Sequence, residues 1–339
     1  MVFTFQNLLI VLKKMRIRMK SDILKELDRS SKIYLVSHIN PDGDSIGSLL
    51  AFGKSLKHKY GEKVILLKSD KIPDTFKFLN NMNYLSDLQI LKAIDDNSTL
   101  ITLDCGDLNR IGAVNDSIKN FKSIINIDHH KSNNLFGKIN IVDSDASSTS
   151  EIIFKLLKDN SLLIDKDIAE ALYTGISSDT GSFKYESTDA NTHRIASELL
   201  EYNIDKSKII FYLYQNRSIE TTNIFIEAIK KIEFHYHNKI GITIITKNMM
   251  KEANASVSDI DGIVEFIRDT ENIEIACVIK EIDINKYKVS LRSKSYLDVS
   301  QIATHFNGGG HKKAAGMVVE GNVEKIKYKL LQLINKKLR

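Results

Sequence analysis

Four short motifs of acidic residues and histidines follow one another along the first half of the chain: His38-Ile39-Asn40-Pro41-Asp42-Gly43-Asp44, Asp104-Cys105-Gly106-Asp107, Asp128-His129-His130 and Asp179-Thr180-Gly181. Imidazole and carboxylate donors without thiolates suit Mn²⁺ and related divalent ions better than a structural zinc, with Mg²⁺ or Co²⁺ as substitutes. Two such ions, about 3.5 to 4 Å apart, could share a carboxylate and a bridging hydroxide that attacks phosphorus in line. The chemistry implied is metal-assisted hydrolysis of a phosphate ester, with no protein nucleophile. Within the first motif, His38 and Asp42 can leave a strand end together while Asp44 faces a second ion, and Pro41 and Gly43 suit the tight turn between them.

Taken singly, each motif has a plainer reading. An Asp-Gly-Asp turn is usually a loop, a histidine pair is more often a hydrogen-bonded feature than a ligand set, and Asp179-Thr180-Gly181 could simply stop a helix. Asp107 and Asp189 read as solvated loop positions. Four motifs in one domain, each beside a strand or helix end, outweigh these separate readings.

The elements that must carry the motifs are short apolar runs: Lys32 to Ser37, Val64 to Leu67, Leu100 to Leu103 and Ile124 to Ile127. Runs of this length read as buried parallel strands, with room between them for crossover helices such as Ser45 to Tyr60. Open α/β sheets bind ligands at the carboxyl ends of their strands, so separate motifs can converge on one crevice. Ser148, with Glu151 three residues on, has the form of a capping box. Ala169 to Ser177 is a helical run ending in the Asp179 motif, and Asn191 to Tyr214 continues as helical sequence.

After about Thr222 the texture changes, with strand-like Ile229 to Phe234, Ile240 to Thr246, Ile273 to Glu281 and Tyr287 to Leu291 between helical segments. The expected class is α/β: a parallel-sheet domain over 21–190, a helical linker over 191–221, and a smaller mixed-sheet domain over 222–339. The second domain closes on Gly308-Gly309-Gly310-His311-Lys312-Lys313 and a C-terminal helix. Three glycines let backbone approach an anion, and beside a helix start their amides could form a phosphate nest.

At 339 residues the chain is long enough for two cores. Its 42% hydrophobic and 27% charged residues are those of a soluble globular protein. A formal net charge of +5, with 48 dispersed basic residues, suits a small anionic substrate rather than a long duplex. Cys105 and Cys277 form no metal-spacing motif and read as reduced core thiols of a cytoplasmic protein. Apolar Val2 to Leu12 precedes its basic residues, the reverse of a secretory signal, and is too short to span a bilayer. Residues 1–20 read as an extension ahead of a start at Met15 or Met19, the alternative being a basic segment resting on a membrane surface.

The motif set, in this order, resembles the DHH phosphoesterase family, whose hallmark is the Asp128-His129-His130 triplet; Gly308-Gly309-Gly310-His311 resembles the mark of its C-terminal DHH-associated domain. The resemblance runs from about Ser31 onward and is nearest to the nanoRNases and pAp phosphatases. It implies that His38, Asp42 and Asp104 hold one ion and that Asp44, Asp104, His129 and Asp179 hold the other, with Asp104 as the bridge. It also implies that Asp128 orients the neighbouring imidazoles, that His130 sits beside the scissile phosphate, and that Arg292, Gly308, Gly309, Gly310 and His311 contact the substrate.

Expected substrates are oligoribonucleotides of two to five nucleotides, other dinucleotides and pAp. With metals on one domain and a phosphate clamp on the other, a substrate reaching both would be selected for shortness. Rival readings are a standalone phosphodiesterase for cyclic or linear dinucleotides and a nucleotide-binding regulator without turnover. The sequence leaves the oligomeric state open, a homodimer included.

Overall fold

The computed structural model describes residues 23–88, 94–112 and 118–338. The readings made for residues 1–20 fall outside them. Two compact units divide the chain, the first ending at Asn216 and the second beginning at Arg217. No helix among the described residues is long and apolar enough to cross a membrane.

The first unit is built on β1 (Ile33–Ser37), β2 (Val64–Lys68), β3 (Leu85–Asp87), β4 (Thr99–Leu103), β5 (Ser123–Asp128) and β6 (Ile139–Val142). All pair in parallel, in the order β3-β2-β1-β4-β5-β6. Burial on both faces explains why the inner strands read as continuous apolar runs. Ile33 and Leu35 enter the larger core, whereas Tyr34 and Val36 enter a smaller one on the opposite face. The strand order reverses between β1 and β4, which is where an open sheet of this kind leaves a crevice at its carboxyl edge.

Four helices of the unit matter to that crevice: α1 (Gly43–Tyr60), α2 (Thr149–Asp159), α3 (Lys166–Asp179) and α4 (Ala190–Leu200). The helical residues read as a linker divide at the unit boundary. Ile195, Ala196 and Leu199 of α4, and Ile209 of α5 (Lys206–Ile210), lie in the core of the first unit.

In the second unit come α6 (Ile219–Lys230), β7 (Glu233–His235), β8 (Ile240–Ile245), α7 (Lys247–Glu252), α8 (Ile263–Asp269), β9 (Ile275–Asp283), β10 (Lys286–Ser293), α9 (Val299–Thr304), β11 (Gly309–Gly310), β12 (Ala314–Glu320) and α10 (Val323–Asn335). The sheet order is β11-β12-β10-β9-β8-β7. It is mixed, with β8 and β9 parallel and the other pairs antiparallel. Cys277, Val289, Leu291 and Met317 pack with α9 and α10 on one face; Ala276 and Val278 pack with α6, α7 and α8 on the other.

Two sequence readings change here, and Arg292 gains a place in the sheet. Ile229 closes helix α6 instead of opening a strand, because the apolar residues Ile224, Phe225 and Ala228 recur at helical spacing and are buried together. The triple glycine leads into a hairpin between β11 and β12, and no helix starts there. Arg292 lies on β10, an inner strand, with β9 and β12 on either side.

Candidate active site

The site is assembled at the carboxyl ends of the first unit's strands. His38 follows β1, Asp104 follows β4, Asp128 ends β5, and Asp42 and Asp44 belong to the turn and first turn of α1. Asp42 caps α1 by accepting the Ser45 amide at 2.9 Å, and its other oxygen lies 3.6 Å from His38 Nε2. The His38 Nδ1 lies 2.7 Å from the Ile39 carbonyl, which can only accept, so that nitrogen carries the proton and Nε2 is turned to the carboxylates.

Asp44 is fully buried beneath the start of α2. The Thr149 amide donates to one of its oxygens at 2.6 Å and the Ser150 amide to the other at 2.8 Å. A carboxylate at a helix start meets unsatisfied amides and the positive end of the dipole, which fixes its orientation. Close approach of α3 is part of the same construction. A Cβ on Gly175 would fall 2.0 Å from Ser150 Oγ and 2.9 Å from Asp44 Oδ1.

Asp104 is central. Its Oδ2 lies 3.3 Å from His38 Nε2; its Oδ1 faces the other way, 3.6 Å from both His129 Nε2 and His130 Nδ1, and accepts from Thr149 Oγ1 at 3.1 Å. The backbone there is left-handed, with φ of 58°, a conformation that aspartate tolerates better than most residues. Strain of this kind collects at functional sites.

Donor atoms gather into three overlapping groups that could hold a metal ion: His38, Asp42 and Asp104; Asp44, His129 and Asp179; and Asp104, His129 and His130. His129 Nε2 lies 3.1 Å from Asp179 Oδ2. All the sequence-nominated ligands are therefore brought together, and His130 joins them as a further donor. Electrostatics show what kind of ligand would suit the cluster. Burial, then the negative charges of Asp104 and Asp179, hold the Asp44 carboxyl well above its ordinary value, and burial likewise raises Asp179. Burial opposes charge on His38 and His129, yet the surrounding carboxylates outweigh it and push both imidazoles up to about 10. Crowded buried carboxylates of this kind call for positive charge, and nitrogen and oxygen donors at these separations fit divalent cations.

Asp128, expected to orient the imidazoles, is itself held by Asn133 and Asn126, which carried no clear sequence signal. Asp128 accepts from His130 Nδ1 at 2.7 Å and from Asn133 Nδ2 at 2.6 Å. Asn133 also donates to Asn126 Oδ1, a buried amide whose own NH₂ reaches Thr102 and the Cys105 carbonyl. The one clue was a polar Asn126 inside an apolar strand.

Beyond Asp179 three successive residues, Gly181, Ser182 and Phe183, take left-handed φ between 55° and 64°. Thr180 Oγ1 accepts the Phe183 amide at 3.0 Å, and Tyr214, on the π-helical turn Phe211–Gln215, donates to the Ser177 carbonyl at 2.6 Å. Such turns recur at functional sites. Asp107 and Asp189, read as solvated, cap the turn Leu108–Ile111 and helix α4.

The second-unit candidates arrange differently from the nest expected of them. The Gly308 amide donates to the Ala303 carbonyl and the His311 amide to the Ala314 carbonyl, so neither faces an open anion site. Gly308 is required sterically, since a Cβ there would lie 2.4 Å from the Gly316 oxygen. Arg292 donates through Nε to Glu265 at 2.8 Å and through Nη1 to the Leu291 carbonyl at 3.1 Å, and Nη2 makes no hydrogen bond among the described residues.

Known proteins extend this description. The family profile described as the DHH family N-terminal domain matches residues 32–176, and that of the DHHA1 domain matches residues 239–339. The chain is 29% identical over 306 residues to the bifunctional oligoribonuclease and PAP phosphatase NrnA of Thermus thermophilus, covering 90% of this chain and 89% of that one. With the protein of the same name from Bacillus subtilis it shares 26% identity over 302 residues, 88% and 92% of the two chains. Among solved structures it is similar to an exopolyphosphatase-related protein from Bacteroides fragilis, with a TM-score of 0.87 and 28% identity, covering 94% of this chain and 96% of that one. Two domain matches in the order DHH then DHHA1, over a carboxylate and imidazole cluster at the strand ends, make this chain a member of the DHH phosphoesterase family.

Proposed function

We propose that the protein is a manganese-dependent phosphoesterase that hydrolyses oligoribonucleotides of two to five nucleotides to mononucleotides and pAp to AMP and phosphate. The observation that carries this reading is Asp104, whose two carboxylate oxygens face two different donor groups. His38, Asp42 and Asp104 would hold one ion, and Asp44, Asp104, His129 and Asp179 the other. Divalent ions so held supply Lewis acidity toward phosphoryl oxygens and lower the pKa of water.

The chain's own groups do the rest. Asp128 orients the His130 imidazole through its 2.7 Å contact, leaving Nε2 to stabilise charge or protonate the leaving oxygen at the scissile phosphate. The amides of Thr149 and Ser150 fix Asp44, and Thr149 Oγ1 fixes Asp104, so the ligands need little reorganisation. Arg292, the exposed Gly309–Gly310 strand that Gly308 shapes, and the His311 side chain take part in substrate binding. The names of the relatives, which state oligoribonuclease and PAP phosphatase, support the substrate class.

The test is hydrolysis of pAp, a 5'-phosphorylated dinucleotide, a cyclic dinucleotide and a long single strand, with and without Mn²⁺. Turnover of pAp and the linear dinucleotide, dependent on the metal, is the expected result; preference for the long strand or the cyclic compound would overturn the assignment. Arg292→Ala is expected to raise KM for the dinucleotide roughly ten- to a hundredfold, the loss of a hydrogen bond to a charged group, with kcat changed less than about twofold. Steady-state kinetics check this, and a fall confined to kcat would remove Arg292 from binding.

A further inference from the structure

On the sheet face that α6, α7 and α8 cover over β9, the part carried by β10 and β12 holds exposed residues, among them Lys288 and Val318, in an arrangement that β-structure ordinarily avoids. Lys288 of β10 and Lys280 of β9 are direct cross-strand partners, so their side chains rise from the same face, side by side. Like charges placed directly opposite are destabilising. Neither lysine makes an ion pair or hydrogen bond among the described residues. Burial, then the charge of Lys288, holds the Lys280 ammonium below its ordinary value. Nearby acid is shared rather than dedicated to the pair: Glu265 is taken by Arg292 at 2.8 Å, and Asp261, raised by burial, meets Lys280, Lys288 and Arg292 together, one carboxylate among three cations.

Register shows what the pair adjoins. Arg292, Ser290 and Lys288 alternate along β10 and so share one face. The same face carries Gly316, paired with Ser290, and Gly309, paired with Gly316. Both substrate candidates of this unit, Arg292 and the glycine hairpin, therefore open onto the surface that ends in the two lysines. At about 3.3 Å per residue, Lys288 stands about 13 Å along the strand from Arg292. A chain of a few nucleotides covers that distance and a single nucleotide does not. Val318, half-exposed and paired with Lys288, adds an apolar surface in the same row, and Gly316 lets a sugar or base approach the backbone.

We propose that Lys280 and Lys288 form a backbone-phosphate subsite that engages single-stranded oligonucleotides of three or more nucleotides, beyond the phosphate met at Arg292. This deepens the function proposed above and rests on it for the substrate class. An anionic phosphodiester between the two ammonium groups relieves their repulsion, whereas dinucleotides and pAp are too short to reach them.

Binding can be separated from turnover. Titration calorimetry with phosphorothioate di- and pentanucleotides on the full chain should show Lys288→Ala weakening the pentanucleotide on the order of tenfold and the dinucleotide less than about twofold. The salt slope for the pentanucleotide should become shallower by about 0.7. Lys288→Glu, which creates an opposite-charge pair with Lys280, should lose the same pentanucleotide affinity while its melting temperature equals or exceeds that of the wild type. Equal losses for both lengths, or none, would overturn the subsite. Failure of the wild type to hydrolyse pAp or any linear dinucleotide would instead overturn the underlying function, and the affinity ratio would still read the subsite.

Discussion

Asp104→Asn is expected to abolish metal-dependent hydrolysis, with kcat/KM falling at least about a thousandfold. Its two oxygens meet two donor groups, so removing one negative charge weakens both at once. Asparagine is the better probe than alanine because the position is left-handed, at φ 58°, and asparagine accepts that backbone at little cost. The amide also keeps an acceptor for Thr149 Oγ1, which lies 3.1 Å from the native carboxylate. Two measurements check the prediction: turnover of the dinucleotide across a Mn²⁺ series, and melting temperature across the same series. The wild type should be stabilised as Mn²⁺ rises, since a ligand bound only by the native state shifts the folding equilibrium. Near-normal activity in the variant, or an undiminished metal-induced shift, would show that Asp104 is not shared by two ions.

The largest expected stability effect lies outside the donor set. Glu151 is 2% exposed and collects the Ser147 amide and hydroxyl, Thr192 Oγ1, Asn191 Nδ2 and Lys155 Nζ. It thereby ties the start of α2 to the start of α4, and the same start of α2 supplies the amides that hold Asp44. Glu151→Ala leaves these donors buried without their acceptor and should cost about 3 kcal/mol, or roughly 10 °C in the melting temperature of a unit this size. Thermal denaturation checks it, and a change below about 1 kcal/mol would mean that water replaces the carboxylate.

The sign with pH follows from the lowered pKa. Burial raises the Glu151 carboxyl, but Lys155, Ser147 and Thr192 outweigh it and hold it below its ordinary value. Its contribution is complete above the unfolded value of about 4.3 and is lost as pH falls through the folded one. The wild type should thus lose this increment on acidification, and the variant should lack that part of the decline.

Much of the protein was legible in residue order. Parallel strands buried on both faces must be apolar throughout, so β1, β2, β4 and β5 stood out as runs, and ligands at strand ends followed from how such sheets are built. The capping form at Ser148 was visible too. There the reading reached only half the truth: Ser148 accepts the Glu151 amide, but Glu151 turns to Ser147, Asn191 and Thr192, because burial offered it stronger partners than a helix end in water. β6 and β12 were missed, the first being four residues long and only half-buried and the second opening in a glycine- and alanine-rich stretch that local propensity does not favour as strand.

Chain order determined which residue types stand at the ends of which strands, and hence that carboxylates and imidazoles would meet at one edge of a sheet. Tertiary structure decided how they meet: which amides clamp Asp44, which way each oxygen of Asp104 points, and that the triple glycine enters a hairpin in register with Arg292 and Lys288. The first kind of information is local, set by side-chain chemistry and strand period. The second depends on contacts between residues a hundred positions apart, such as Asp44 with Thr149 and Ser150, which no local pattern encodes because only close packing of α1, α2 and α3 brings them within hydrogen-bonding distance.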